Sequence, residues 1–156
     1  MRHAKAETDD DRPDHDRRLA DRGREQAAEM GRWMAAHGGP VDLVWCSSAL
    51  RARQTWDEVA TALPDVREPE FLRAIYLAGA KDLLALLTKV PEGVESLLVI
   101  GHNPTAQKVV AELCAEPARS FPTGSVAVLE VEGTWAARGP GRLTEFVSPG
   151  GGRKGS

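Results

Sequence analysis

Two short apolar runs, VDLVWCSS at residues 41–48 and ESLLVIG at residues 95–101, each lead straight into a polar turn and then a helix-forming stretch. Runs this short and this apolar suit strands covered on both faces rather than strands with one solvated side. A chain that alternates such strands with helices of about ten to fifteen residues folds as an α/β protein. The expectation is a three-layer α/β/α sandwich with a mainly parallel central sheet. In that architecture ligands gather at the carboxyl ends of the strands. The segments SSALRARQT and GHNP both fall at such ends.

The other elements follow from periodicity and punctuation. In EQAAEMGRWMAAHGG, residues Ala27, Met30, Gly31, Met34 and Ala35 recur at helical spacing, which predicts a helix over 21–37 with Asp21 as cap and Gly38-Gly39-Pro40 as stop. Ser47 or Ser48 is placed to cap a helix through ALRARQTWDEVATAL. PEFLRAIYL reads as a weaker strand or loop, KDLLALLTKV as an amphipathic helix stopped by Pro91, and Pro104 as the first position of a helix through TAQKVVAELCA. The alternating segments SVAVLEVEG and RLTEFVS predict antiparallel or edge strands. One domain over 1–148 and a flexible Gly-rich tail over 149–156 account for the chain.

Charge excludes some functions. With 20 Lys and Arg against 23 Asp and Glu, the net charge is −3, of the wrong sign for bulk attraction to nucleic acid. No apolar run nears the ~20 residues of a membrane span, and none resembles a signal peptide. A cytoplasmic protein with neither nucleic-acid nor membrane partners is expected. Cys46 and Cys114 lie in apolar neighbourhoods, LVWCS and AELCA, as reduced core residues.

Chemistry concentrates in a few side chains. Of the four histidines, His37 sits in the last turn of the first helix, where it favours the dipole, and His15 lies among Asp14, Asp16 and Arg17 in a solvated loop. His102 follows Gly101 at the mouth of a buried strand, where a ring points into the cleft. Arg2, Arg17 and Arg51 each lie at an element end or in the polar leader. A guanidinium is a rigid donor fork matched to phosphate oxygens, and several around one point suit a phosphoryl transition state. Arg18, Arg22, Arg24 and Arg53 read as surface charges.

Arg2-His3, the segment DHDRRL, the segment SSALRARQT and GHNP, in this order, resemble the histidine phosphatase superfamily, also called the phosphoglycerate mutase-like fold. The likeness is nearest to its small SixA-type phosphohistidine phosphatases and runs from residue 1 to about 148. The resemblance implies that His3 is the nucleophile and is transiently phosphorylated. It implies that Arg2, Arg17 and Arg51 hold the phosphoryl oxygens and that His102 hydrogen-bonds the same group, which makes His3, His102, Arg2 and Arg51 the catalytic set. No cofactor is implied and no metal; the acidic leader with Asp9, Asp10, Asp11, Asp14 and Asp16 has no ordered liganding pattern and reads as a solvated flap.

Three departures shape the expectation. The usual Arg-His-Gly is Arg2-His3-Ala4, and Ser48 replaces a proline common after the first serine of the strand-turn motif. Members acting on phosphate monoesters place a glutamate after the third strand, whereas nothing between Glu70 and Asp82 is a carboxylate. An imidazole leaving group needs less protonation than an alkoxide, which favours phosphohistidine on a partner protein over a small phosphorylated substrate. The strand expected before Arg2-His3 is missing from this chain, which predicts a strand-shaped gap and a mobile terminus; either the native protein begins upstream of Met1, the preferred reading, or this is a truncated phosphate-binding member without turnover. A cysteine phosphatase would require arginine at position 52, which is Ala52.

Overall fold

Period-two alternation sorts the two apolar runs between two cores. The computed structural model describes residues 1–8 and 11–151; Asp9 and Asp10 of the leader and residues 152–156 of the expected tail lie outside the described residues. After a 3-10 turn at Asp14–Asp16, the order is α1 (Asp21–His37), β1 (Leu43–Ser47), α2 (Leu50–Ala60), β2 (Glu70–Leu72), α3 (Arg73–Leu77), α4 (Ala80–Leu87), β3 (Leu97–Ile100), α5 (Thr105–Cys114), β4 (Val126–Gly133) and β5 (Arg138–Val147).

β1 is the centre of a parallel sheet ordered β2-β1-β3, with Cys46 opposite both Phe71 and Ile100. Val44, Cys46, Leu98 and Ile100 face one side, where Met30 and Met34 of α1 and Ala52, Trp56 and Val59 of α2 close over them. Trp45, Leu97 and Val99 face the other side and meet Ile75, Leu83, Leu87 and Val109 from α3, α4 and α5. Two faces buried by helices make the three layers, and they explain why the strands carry no polar alternation. β4 and β5 form an antiparallel hairpin.

Met1 to His3 correct the expectation of a gap. The backbone N–H of His3 donates to Gly101 O at 2.9 Å and that of Gly101 to Met1 O at 3.0 Å, in parallel with β3. On the other side Arg2 N–H donates to Ser125 O and Gly124 N–H to His3 O, each at 3.0 Å. The slot between β3 and the start of β4 is therefore filled over the length of these residues, and His3 is pinned from both sides rather than loose.

Helix starts differ from expectation by one residue. Ala20, Ala49 and Pro104 occupy the cap positions, without side-chain caps. Ser47 serves the start of α2 indirectly, its Oγ accepting from Ala49 N–H at 3.2 Å. PEFLRAIYL divides into β2 and the short α3. No helix among the described residues is long and apolar enough to cross a membrane.

Candidate active site

Four segments converge where β1, β3 and the N-terminal residues end. His3 is 8% exposed, and its Nδ1–H donates to Ala4 O at 2.7 Å. That bond fixes the tautomer, so Nε2 carries the lone pair. Arg51, from the first turn of α2, directs Nε–H at that lone pair from 3.4 Å. Burial, opposed in part by the Ala4 bond and reinforced by the nearby His102, Arg51 and Arg2, pulls the His3 pKa down from 6.5 to about 3. The ring is neutral at physiological pH, as a nitrogen nucleophile must be.

His102 stands 5.1 Å from His3, centroid to centroid. Its Nε2 is 2.7 Å from Ser47 Oγ. Ser47 is fully buried and its oxygen accepts from Ala49 N–H, and its second lone pair leaves it able either to donate to His102 Nε2 or to accept from it. Arg51 Nη2, which can only donate, lies 3.5 Å from His102 Nδ1, the geometry of a ring whose Nδ1 accepts and whose Nε2–H is on Ser47 Oγ. Burial and the Arg51 charge lower the His102 pKa to about 4.

Arg2 anchors Nη1 on Phe121 O at 3.0 Å, the same carbonyl that receives Asn103 Nδ2 of the GHNP turn. Its Nε is buried without a hydrogen-bond partner, and its charge is felt by both imidazoles. Arg17 does not touch either imidazole. It donates from Nε to Asp14 Oδ1 at 3.0 Å and from Nη1 to Glu7 O at 3.2 Å. His3, Arg51 and His102, from sequence positions up to a hundred residues apart, are thus in mutual contact, while Arg2 and Arg17 act on the imidazoles through their charge.

Three further residues, two of them read from the sequence as solvated, join the site. The Asp14 main-chain oxygen accepts from Arg51 Nη1 at 2.8 Å, and its Oδ2 lies 3.2 Å from Arg51 Nη2. Tyr76 Oη–H donates to the same Oδ2 at 2.8 Å. These donors hold the Asp14 pKa down at about 2, the Tyr76 bond contributing most. His15 is half-buried rather than solvated: Nε2 is 2.8 Å from Ser48 Oγ, and the ring meets Tyr76 edge-on at 4.7 Å. The Asp-x-x-Arg spacing of Asp14 and Arg17 and the single tyrosine of the chain were the available signals. His37 stacks on Trp33 away from the site, in keeping with its reading.

Cys46 is fully buried and its thiol is pushed up to about 12, so it offers no thiolate. Among the described residues, two surface depressions lie elsewhere. One is bounded by Leu84, Leu113 and Arg138, the other by Ala35, Pro40 and Leu63.

Comparison with known proteins agrees with this arrangement. The family model described as histidine phosphatase superfamily (branch 1) matches residues 1–78. The phosphohistidine phosphatase SixA of Escherichia coli is 33% identical over 135 residues, covering 85% of this chain and 83% of SixA. An uncharacterised protein of Mycobacterium tuberculosis is 36% identical over 151 residues, covering 90% and 93% of the two chains. Among solved structures, the protein histidine phosphatase SixA complexed with tungstate superposes with a TM-score of 0.83 at 32% identity, covering 96% of this chain and 94% of that one.

The fold and the matched motifs define a phosphatase, a hydrolase of the α/β class. The chain belongs to the histidine phosphatase superfamily, with SixA phosphatases among its relatives.

Proposed function

We propose that the protein removes phosphate from phosphohistidine on a partner protein through a covalent intermediate on His3. The observation that carries this reading is the protonation pattern: a neutral His3 with its Nε2 lone pair toward Arg51, and, among the described residues, no carboxylic acid held ready to donate a proton. The Asp14 carboxylate at the site is ionised and wholly engaged as an acceptor. That arrangement serves a leaving group that departs readily, as imidazole does, better than an alkoxide.

In the first step His3 Nε2 attacks phosphorus in line. The P–N bond of the substrate breaks with its electron pair left on the substrate imidazole, which takes its proton from water. Arg2, Arg17 and Arg51 bear the charge on the phosphoryl oxygens, with His102 beside the same group. In the second step water attacks phosphorus, the P–Nε2 bond breaks, His3 regains its lone pair, and orthophosphate leaves with the water proton. Three guanidinium groups supply the cationic stabilisation, so the reading calls for no metal. A tetrahedral oxyanion such as the tungstate of the solved SixA suits the cradle.

The test is to incubate the protein with a phosphohistidine-bearing protein, denature rapidly at alkaline pH where the P–N bond survives, and locate phosphate by mass spectrometry. Label on His3, its loss in His3→Ala, and turnover unaffected by a chelator are expected. Equal hydrolysis of an alkyl phosphate monoester would overturn the phosphohistidine assignment.

A further inference from the structure

Every nitrogen of the Arg51 guanidinium is engaged: Nε faces His3, Nη1 meets the Asp14 carbonyl, and Nη2 meets the Asp14 carboxylate beside His102. Arg17 places its Nε on the other oxygen of the same carboxylate. Two of the three arginines read as phosphate ligands thus hold a carboxylate of the chain itself. We propose that Asp14 is an internal anion that occupies the phosphoryl cradle between turnovers and competes with orthophosphate for it, setting the affinity for product. This inference rests on the reading of Arg17 and Arg51 as phosphate ligands and adds a residue that controls what they hold.

The physical case has three parts. The Arg51 side chain is 7% exposed, and a guanidinium so withdrawn from water has to be paired. Asp14 supplies the pair from the solvent side, its own side chain 55% exposed, so it can leave without opening the core. A phosphoryl dianion entering between Arg17 and Arg51 meets this carboxylate at close range, where like charges cannot share the donors. Exchange of one anion for the other keeps Arg51 paired throughout. It also charges every phosphate that binds the cost of evicting the carboxylate, and so favours release of the product.

The local fold lets the exchange happen. Residues 5–7 pair with residues 18–20 through Glu7 N–H to Arg18 O and Ala20 N–H to Lys5 O, both at 2.9 Å. Leu19 is buried in the first core, and its N–H donates to Gln54 Oε1 at 2.8 Å. Asp14 is carried on the excursion beyond this tied base, held there by Tyr76, Arg17 and Arg51. The segment between Glu70 and Asp82, which contains no carboxylate, supplies through Tyr76 a phenol that retains one from the leader.

A purely positioning role for Asp14 makes the opposite prediction, because the amide oxygen of the Asp14→Asn variant still accepts from Arg51 and Tyr76 while the charge is gone. The experiment is titration of the full chain with orthophosphate, followed by calorimetry, for wild type, Asp14→Asn, Asp14→Ala and Arg17→Gln. About tenfold tighter phosphate binding in both Asp14 variants, with product inhibition strengthened in parallel, is expected. Unchanged or weaker binding in Asp14→Asn while Arg17→Gln loses affinity overturns the competition and leaves the cradle standing. If Arg17→Gln binds phosphate as wild type does, the cradle assignment falls, and this inference with it.

Discussion

Ser47 Oγ, at the end of β1, lies 2.7 Å from His102 Nε2, at the end of β3. The two strands are hydrogen-bonded neighbours in parallel register, so the contact fixes the imidazole from the sheet itself. Ser47→Ala leaves Nε2 without its hydrogen-bond partner and frees the ring to take the other tautomer. The expected result is a fall in kcat of roughly tenfold or more, with KM much less affected. The stability cost is about 1–3 kcal/mol from the unpaired Ala49 N–H and imidazole. Steady-state kinetics against a phosphohistidine substrate and thermal unfolding measure the two effects separately; unchanged kcat would remove Ser47 from the positioning of His102.

Acid sensitivity follows from the two imidazoles. His3 and His102 have folded pKa values of about 3 and about 4 against 6.5 in the unfolded chain. Between those limits the unfolded chain binds protons that the folded chain refuses, so stability falls as pH drops from about 6.5 toward 4. His102→Gln, which takes up no such proton on unfolding, is expected to lose stability less steeply over the same window. Denaturant midpoints at a series of pH values give the slopes, and equal slopes in the two proteins would contradict the buried neutral assignment.

The parts of this molecule that local chemistry dictates were legible in the chain. The helix over 21–37, both buried strands and the closing hairpin follow from periodicity and from the positions of Gly and Pro. Arg51 and His102 were visible because strand ends aim side chains into the cleft. What could not be read was which distant groups satisfy them. Asp14 belongs to a run of similar acids, and only the fold sets it between Arg17, Arg51 and Tyr76. His15 looked solvated for the same reason, since its partner Ser48 is 33 residues away. The filled slot beside β3 depends on backbone pairing, to which Met1, Arg2 and His3 contribute irrespective of side-chain type.

Helix α1 packs on α2 through a glycine. A Cβ built on Gly31 would lie 2.9 Å from Val59 O and 3.0 Å from Val59 Cα, both main-chain atoms that cannot swing aside. Alanine normally gains up to ~1 kcal/mol over glycine within a helix. Here the forced separation of α1 and α2 outweighs that gain, and Gly31→Ala is expected to destabilise by about 1–3 kcal/mol. Because α2 carries Arg51, activity should fall alongside stability. Calorimetric unfolding decides the sign, and a stabilised variant would show that the helices have room to part.

Thr55 ties the nucleophile to the arginine helix. It is fully buried, its Oγ1 accepts from Ala4 N–H at 3.0 Å, and its hydroxyl donates to Arg51 O at 2.7 Å. The peptide that follows His3 is thereby hung from α2, one turn beyond Arg51. Thr55→Val keeps the shape but leaves the Ala4 N–H unpaired in a dry site, at a cost of about 1–3 kcal/mol. A general loosening would move stability alone. Displacement of the Ala4 peptide shifts the carbonyl that fixes His3 Nδ1, so kcat is expected to drop several-fold beyond any loss of folded protein. Thr55→Ser restores the hydroxyl and should recover most of kcat even where it recovers only part of the stability. If valine and serine variants turn over alike, Thr55 is a packing residue and the alignment of His3 with Arg51 is held by the strand pairing alone.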